Sequence, residues 1–372
     1  MNSEMITQAL REVEESDKAL AAAFERRLDA IKVIAEYRRE HGIPVPAEPD
    51  GGERAQELSA VITDAEKRPY YMSFFQGALS ASEKYHRRIM QGVRVAYTGV
   101  KGAFANIAAS RIFPDGEMVS YPDFAASYTA VERGECDCAV LPIENSYAGE
   151  VGQVIELMFS GTLYIGGVYS LRVKHNLLGL RGSTPSGVKK VVSHPQALHQ
   201  CAPYIQAHGY ECIQETNTAV AAQRVAEGGD PTVAAIASAE TAKLYGLEVL
   251  DHDINESGDN TTRFAVFSRT PNIDEDHRDR SRFLLMFILQ NVPGALASAI
   301  NVISSYGFNM KVIRSRPIKE PAWEYYFYVE AEGDEESENG RRMISELRQH
   351  CRVLKVVGHY SDDIRLGASS II

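Results

Sequence analysis

The sequence predicts a multidomain protein: an all-α helical segment built for dimerisation, then an α/β domain, then a ferredoxin-like α+β unit. Three observations predict it. In the first forty residues apolar positions recur at alternating spacings of three and four, the seam of a long packed helix. After Gln91-Gly92, short apolar runs alternate with helical patterns, as in a mostly parallel sheet flanked by helices. Beyond residue 281 the elements follow the order βαββαβ.

The stripe reads Leu10, Val13, Asp17, Leu20, Phe24, Arg27, Ile31, Ile34, Arg38. It predicts one helix over residues 4–40, ending at His41-Gly42 ahead of Pro44. Three charges interrupt it. Asp17 and Arg27 stand about 15 Å apart along the axis and cannot pair within one helix. So long a stripe needs a partner. Either an antiparallel partner chain gathers these charges into a buried polar pocket, or their stems snorkel outward from its edge. Residues 47–52, AEPDGG, form a break, and residues 53–64 and 70–90 predict two more helices.

In the middle segment residues 93–97 form a strand, 98–102 a glycine turn and 103–112 a helix, whose first N–H groups can hold an anion. A turn of this kind is also simply a tight turn. Residues 138–141 form a second strand, with Glu144, Asn145 and Ser146 at its mouth. Residues 188–192 form a third, followed by Ser193-His194-Pro195. Pro195 suits a first helical position, and Gln196 and Gln200 then share a helix face. His194 is equally a capping or packed histidine. The last strand, 264–267, follows Asp259-Asn260-Thr261-Thr262-Arg263. A hydroxyl and a cation at a strand mouth suit an anionic substrate with a leaving group to protonate. The plain alternative is an ordinary β-former beside a solvated arginine.

Residues 269–282 are polar and charged, a linker. Strands follow at 283–289, 309–314, 323–330 and 353–360, with helices at 293–306, opened by proline and closed by Gly307, and at 337–350, capped by Ser337.

Composition excludes several classes. A chain of 372 residues, 44% hydrophobic and 24% charged, describes an ordinary soluble protein of two or three domains. A net charge of −11 argues against nucleic acid as partner. No apolar run approaches the roughly 20 residues of a membrane span. The polar, acidic N-terminus carries no signal peptide, and five scattered cysteines fit free thiols in the cytoplasm. Cys136-Asp137-Cys138 lacks the companions of a metal site, so no metal is expected.

Two sets of motifs carry resemblances. The pattern LREVEESD…ERR…IAEYRREHGIPV…YYMSFFQGALSASEKYH resembles the intertwined-dimer chorismate mutase domain. Carried over, Arg27 matches the family's mid-helix arginine and Ser82 its serine. Arg38 stands where lysine is usual and His86 where glutamine is usual. The first-helix arginine falls on Leu10, unless a one-residue shift makes Arg11 its equivalent. The usual Asp-x-x-Arg-Glu falls on Ala47, Asp50 and Gly51 and is absent, with Arg54 nearby as a substitute. The resemblance implies a kept scaffold and an eroded site.

Over residues 93–268, YTGVKGAF, VLPIENSYAG, VVSHPQALHQC and TTRF, in this order, resemble the prephenate dehydratase catalytic domain. This implies two α/β lobes of periplasmic-binding-protein type with substrate between them. It implies Thr262 as proton donor to the leaving hydroxyl, with Glu144, Asn145, Ser193 and Gln200 lining the cleft and Arg263, Ser146 and Thr261 binding substrate. Ala103 replaces a common threonine or serine. Prephenate would lose CO2 and its ring hydroxyl to become phenylpyruvate. Aromatisation drives this, so no cofactor is expected. Thr262 either acts late as an acid or only donates a strong hydrogen bond.

Finally, Asn291-Val292-Pro293-Gly294-Ala295-Leu296 and Ile313-Arg314-Ser315-Arg316-Pro317 resemble the ACT domain of phenylalanine-controlled enzymes. The implied effector residues are Gly294, Ala295, Leu296, Asn309, Ser315, Arg316 and Pro317, across a dimer interface. Arg314 stands where glutamate is usual. The expected domains are 1–91, 92–270 and 281–365, in a homodimer or homotetramer regulated by L-phenylalanine. The rivals are a fully bifunctional mutase/dehydratase, an enzyme working only as a mutase, and a two-lobed ligand-binding sensor without catalysis.

Overall fold

The computed structural model describes residues 3–41, 56, 58–256, 258–271, 281–318, 325–361 and 364–367. The expectations for Ala47, Asp50, Gly51 and Arg54, for most of the 269–282 linker and for the start of the strand at Trp323 lie outside these residues. The chain divides into two compact units: residues 1–93 with 115–117, and 94–114 with 118–372.

The first unit is built on α1 (Ser3–Glu40) and α2 (Arg68–Gln91). Pro69 sits in the first turn of α2, where its missing N–H costs nothing. The helix expected over 53–64 does not continue past residue 59, just ahead of the β-branched run Val61-Ile62-Thr63 that disfavours it. Ala35 and Phe75 are buried where α1 meets α2. The stripe itself is not covered: Leu10, Val13, Leu20 and Ile34 are 65%, 58%, 49% and 48% exposed.

The second unit holds three sheets. The first contains β1 (Arg94–Thr98), β2 (Glu117–Tyr121), β3 (Cys138–Asn145), β4 (Gly149–Glu150) and β5 (Tyr164–Arg172). Between them run α3 (Phe104–Ile112), α4 (Phe124–Glu132) and α5 (Gly152–Ser160). The second contains β6 (Asn176–Gly179), β7 (Lys190–Ser193), β8 (Glu211–Gln214), β9 (Val233–Ala237) and β10 (Glu248–Asp251). Its helices are α6 (Pro195–Gln200), α7 (Ala202–His208), α8 (Thr218–Gly228) and α9 (Ala239–Tyr245). The chain leaves the first sheet after β5 and returns as β11 (Thr261–Ser268), which lies between β5 and β3. The Val173 N–H donates to the Asn260 carbonyl at 2.8 Å and ties the two crossings together.

The expectation of mostly parallel sheets is corrected to mixed ones. β11 runs antiparallel to both β3 and β5, because a chain that visits the second sheet must come back through the first. In the second sheet β7 pairs parallel with β8 and β9, whereas β6 is antiparallel to β9 and β10.

The third sheet has β12 (Ser281–Leu289), β13 (Asn309–Pro317), β14 (Tyr325–Glu332) and β15 (Cys351–Ser361), ordered β13-β14-β12-β15 and antiparallel throughout. With α10 (Ala295–Ser305) and α11 (Glu338–His350) this is the expected ferredoxin-like unit. Phe283, Leu285 and Phe287 pack with Val302, Met343 and Leu347. The opposite face of β12, Leu284 and Met286, joins Leu141, Ile143 and Ile165 of the first sheet and Met158 of α5 in one apolar core. A strand buried on both faces explains its unbroken FLLMFIL run. The tail, expected to end the C-terminal unit at 365, instead returns to the first sheet as β16 (Ile364–Leu366), parallel to β5. No helix among the described residues is long and apolar enough to cross a membrane.

Candidate active site

Strand alternation sorts the candidates. On β11 and β3, Thr262 stands opposite Asn145 and Arg263 opposite Glu144. Successive side chains point to opposite faces. Thr262 and Asn145 therefore line a cavity between the first two sheets, shared with Gln200, Asn260 and His175. Arg263 and Glu144 face the third sheet.

The cavity residues are joined by hydrogen bonds. The Asn145 Oδ1 accepts from the Tyr147 and Ala148 N–H groups at 3.0 and 2.9 Å. Its Nδ2 donates to Thr262 Oγ1 at 2.9 Å and Asn260 Oδ1 at 2.8 Å. Asn260 Nδ2 donates to Gln200 Oε1 at 3.0 Å. Because Thr262 receives from Asn145 and has no acceptor of its own among the described residues, its proton is left for a ligand.

Neither this cavity nor the adjoining one, lined by Gly99, Tyr121 and Thr262, is lined by lysine or arginine among the described residues. Positive potential comes instead from backbone. The first turns of α3, α6 and α8 line the cavity at Phe104, Gln196 and Thr218. A helix start carries roughly half a positive charge and unpaired N–H groups. His194 and Asn217 cap two of these helices, accepting from the Gln196 and Val220 N–H groups at 3.2 and 2.8 Å. Burial holds His194 below the usual histidine range, consistent with a neutral ring that accepts at Nδ1.

Of the expected catalytic residues, Thr262, Asn145 and Gln200 come together here. Ser193 does not: it is fully buried and donates to the Ile236 carbonyl at 2.6 Å. Glu144 accepts from Arg263 at 3.1 Å and from Arg314. Arg263, expected to bind substrate, forms a two-pronged pair with buried Glu330 at 3.1 and 3.0 Å. Ser146 and Thr261 brace each other, the Thr261 N–H donating to Ser146 Oγ at 3.0 Å. For Glu144 and Arg263 the physical cause is strand alternation: as neighbours of Asn145 and Thr262 they point to the opposite face. His175, like Asn217, lines the cavity without belonging to any of the motifs in the sequence. Its signal is weak, a polar Lys174-His175-Asn176 opening a short apolar strand.

In the third sheet Gly294 caps α10 at φ 85°, a left-handed geometry that favours glycine. Asn309, Ser315 and Pro317 fall on the exposed face of edge strand β13. Arg316 falls on the other, pairing with Glu150 at 3.3 Å, next to Arg314. In the helical unit Arg27 Nε donates to Ser82 Oγ at 2.9 Å, and Arg38 Nη1 lies 3.3 Å from His86 Nε2. Burial, with Arg38 beside it, lowers the His86 pKa, so Arg38 donates to a neutral ring.

The chain matches the prephenate dehydratase family model over residues 95–272. It is 34% identical over 323 residues to an arogenate dehydratase/prephenate dehydratase of Arabidopsis thaliana, covering 84% of this chain and 83% of the relative. It is 29% identical over 376 residues to a bifunctional chorismate mutase/prephenate dehydratase of Aquifex aeolicus, covering 96% and 98% of the two chains. Among solved structures, a prephenate dehydratase from Arthrobacter aurescens in complex with L-Phe superposes with a TM-score of 0.67 at 25% identity, over 73% of this chain and 90% of that one.

Proposed function

The chain belongs to the prephenate dehydratase family, and we propose that it converts prephenate to phenylpyruvate, CO2 and water in phenylalanine biosynthesis, using the Thr262 cavity. One observation carries this reading. The Thr262 hydroxyl has its oxygen engaged by Asn145 and its proton available, inside a cavity ringed by helix starts. Two carboxylates would be held by backbone N–H groups rather than by side-chain cations. The bond between ring and carboxylate breaks, its electron pair enters the ring, and the ring hydroxyl leaves with a proton as water. Thr262 donates toward that oxygen as charge builds on it. A neutral hydroxyl is a weak acid, and the Asn145 amide pointing at Oγ1 stabilises the alkoxide character it acquires.

L-Phenylalanine as effector fits the third sheet, read as an ACT domain. Gly294, Ala295 and Leu296 at the start of α10 and the exposed Asn309, Ser315 and Pro317 are available to a second copy. Ion pairs Arg263–Glu330 and Arg314–Glu144 support coupling, since both reach β11 or β3. The uncovered apolar stripe of α1 supports a dimer or larger even assembly. The helical unit is read as a weak or inactive mutase, because the sequence lacks the Asp-x-x-Arg-Glu usual in the family and Arg38 stands beside a neutral His86. A cytoplasmic setting accords with the five free thiols.

Purified full-length protein given prephenate should release phenylpyruvate and CO2 in equal amounts, and given chorismate should barely exceed buffer. Failure with prephenate would reject the dehydratase reading. Chorismate turnover of about 1 per second or more would reject the eroded mutase.

A further inference from the structure

His175 lies on the first chain crossing between the sheets and Asn260 on the second. The His175 side chain is buried, lines the cavity and stands edge-on to Phe104 at 5.7 Å. Its hydrogen-bond role can be read from the backbone inward. Two backbone N–H groups converge on one Asn145 side-chain atom, which must be the oxygen. The Asn145 nitrogen therefore donates to Asn260, and the Asn260 nitrogen donates to Gln200. The Gln200 atom in that contact is again the oxygen. His175 Nε2 lies 2.8 Å from this same oxygen and must carry the proton. Four side-chain orientations thus follow from the Tyr147 and Ala148 amides.

One donor is left over. With its oxygen doubly engaged, Gln200 keeps its NH2 for whatever fills the cavity. In a cavity that no lysine or arginine lines among the described residues, such a neutral donor matters to an anion. Turned over, Gln200 would offer an oxygen to a carboxylate or to the departing hydroxyl. His175 Nδ1 is buried with no partner, so the ring contributes through Nε2 alone.

We propose that His175 is a positioning residue for the dehydratase reaction, its Nε2–H locking the Gln200 carboxamide with the NH2 turned toward the substrate. The proposal rests on the reading of this cavity as the prephenate site. It is tested by steady-state kinetics of the full chain with prephenate. His175→Leu should lower kcat/KM about tenfold, the scale of one buried hydrogen bond. His175→Gln, whose amide nitrogen reaches the place of Nε2, should recover most of that loss. His175→Asn, whose amide reaches only the place of Nδ1, should not. In a Gln200→Ala background His175→Leu should cost nothing further, because the group it positions is gone. If the leucine variant does not fold, the glutamine and asparagine variants alone decide. Equal activity of these two, or an unchanged penalty in the Gln200→Ala background, overturns the proposal. Thr262→Ala measured in parallel separates the two failures. If it too retains activity, the cavity reading has failed; if it alone is inactive, only the role of His175 has.

Discussion

Asn145 decides which way hydrogen bonds run at Thr262. Its amide nitrogen faces the threonine oxygen because two backbone N–H groups hold its own oxygen. Asn145→Asp would replace that donor with an acceptor. The Thr262 proton would then turn toward the carboxylate, and a negative charge would face an anionic substrate. We expect kcat/KM for prephenate to fall by about a hundredfold or more. A variant as active as wild type would show that the direction of this bond is irrelevant. At this scale the sequence was partly legible. Thr262, Asn145 and Gln200 stood in recognisable motifs. The place of Arg263 is readable too, since a two-residue period puts it on the face opposite Thr262. His175 was not readable, because its meaning depends on Gln200 and Asn260, which are distant in sequence.

Strands β11 and β14 are joined by the Arg263–Glu330 pair, with Tyr360 donating to Glu330 at 2.8 Å and Tyr328 donating as well. Burial raises the Glu330 pKa, but the hydrogen bonds and charge of Arg263, with the two tyrosines, outweigh it and leave the group below its ordinary 4.5. A depressed carboxylate stabilises the fold fully above its unfolded value and loses that contribution as pH falls through the lower folded value. Thermal stability of wild type should therefore drop below about pH 4.5 more steeply than that of Glu330→Gln, which has no such group to titrate. Parallel acid profiles would refute this. Arg263→Leu, which strands a buried carboxylate, should destabilise by about 3–5 kcal/mol, measured by denaturant unfolding. No loss would mean that Glu330 finds other partners. The pair is not legible in sequence because 67 residues separate Arg263 from Glu330 and no local pattern links them.

For the whole molecule, element order was legible from periodicity, and the βαββαβ order held through the third sheet. The shared core was not legible. FLLMFIL signalled a strand buried on both sides, but nothing in the chain named the first sheet as its cover. The stripe of α1 is the converse case, legible and still uncovered in one chain. Placing charge on it with Leu20→Glu and Ile34→Glu should weaken self-association in sedimentation experiments while prephenate turnover persists. Unchanged association would assign the stripe another partner.

In the reaction proposed for this cavity the Thr262 proton goes to the departing oxygen. The most direct test is prephenate turnover by Thr262→Ala and Thr262→Ser in the full chain, with thermal unfolding measured alongside. The alanine variant should fold as wild type does and lose about a hundredfold or more in kcat, while the serine variant keeps part of the rate. An alanine variant that turns over as fast as wild type would show that Thr262 is not the proton donor.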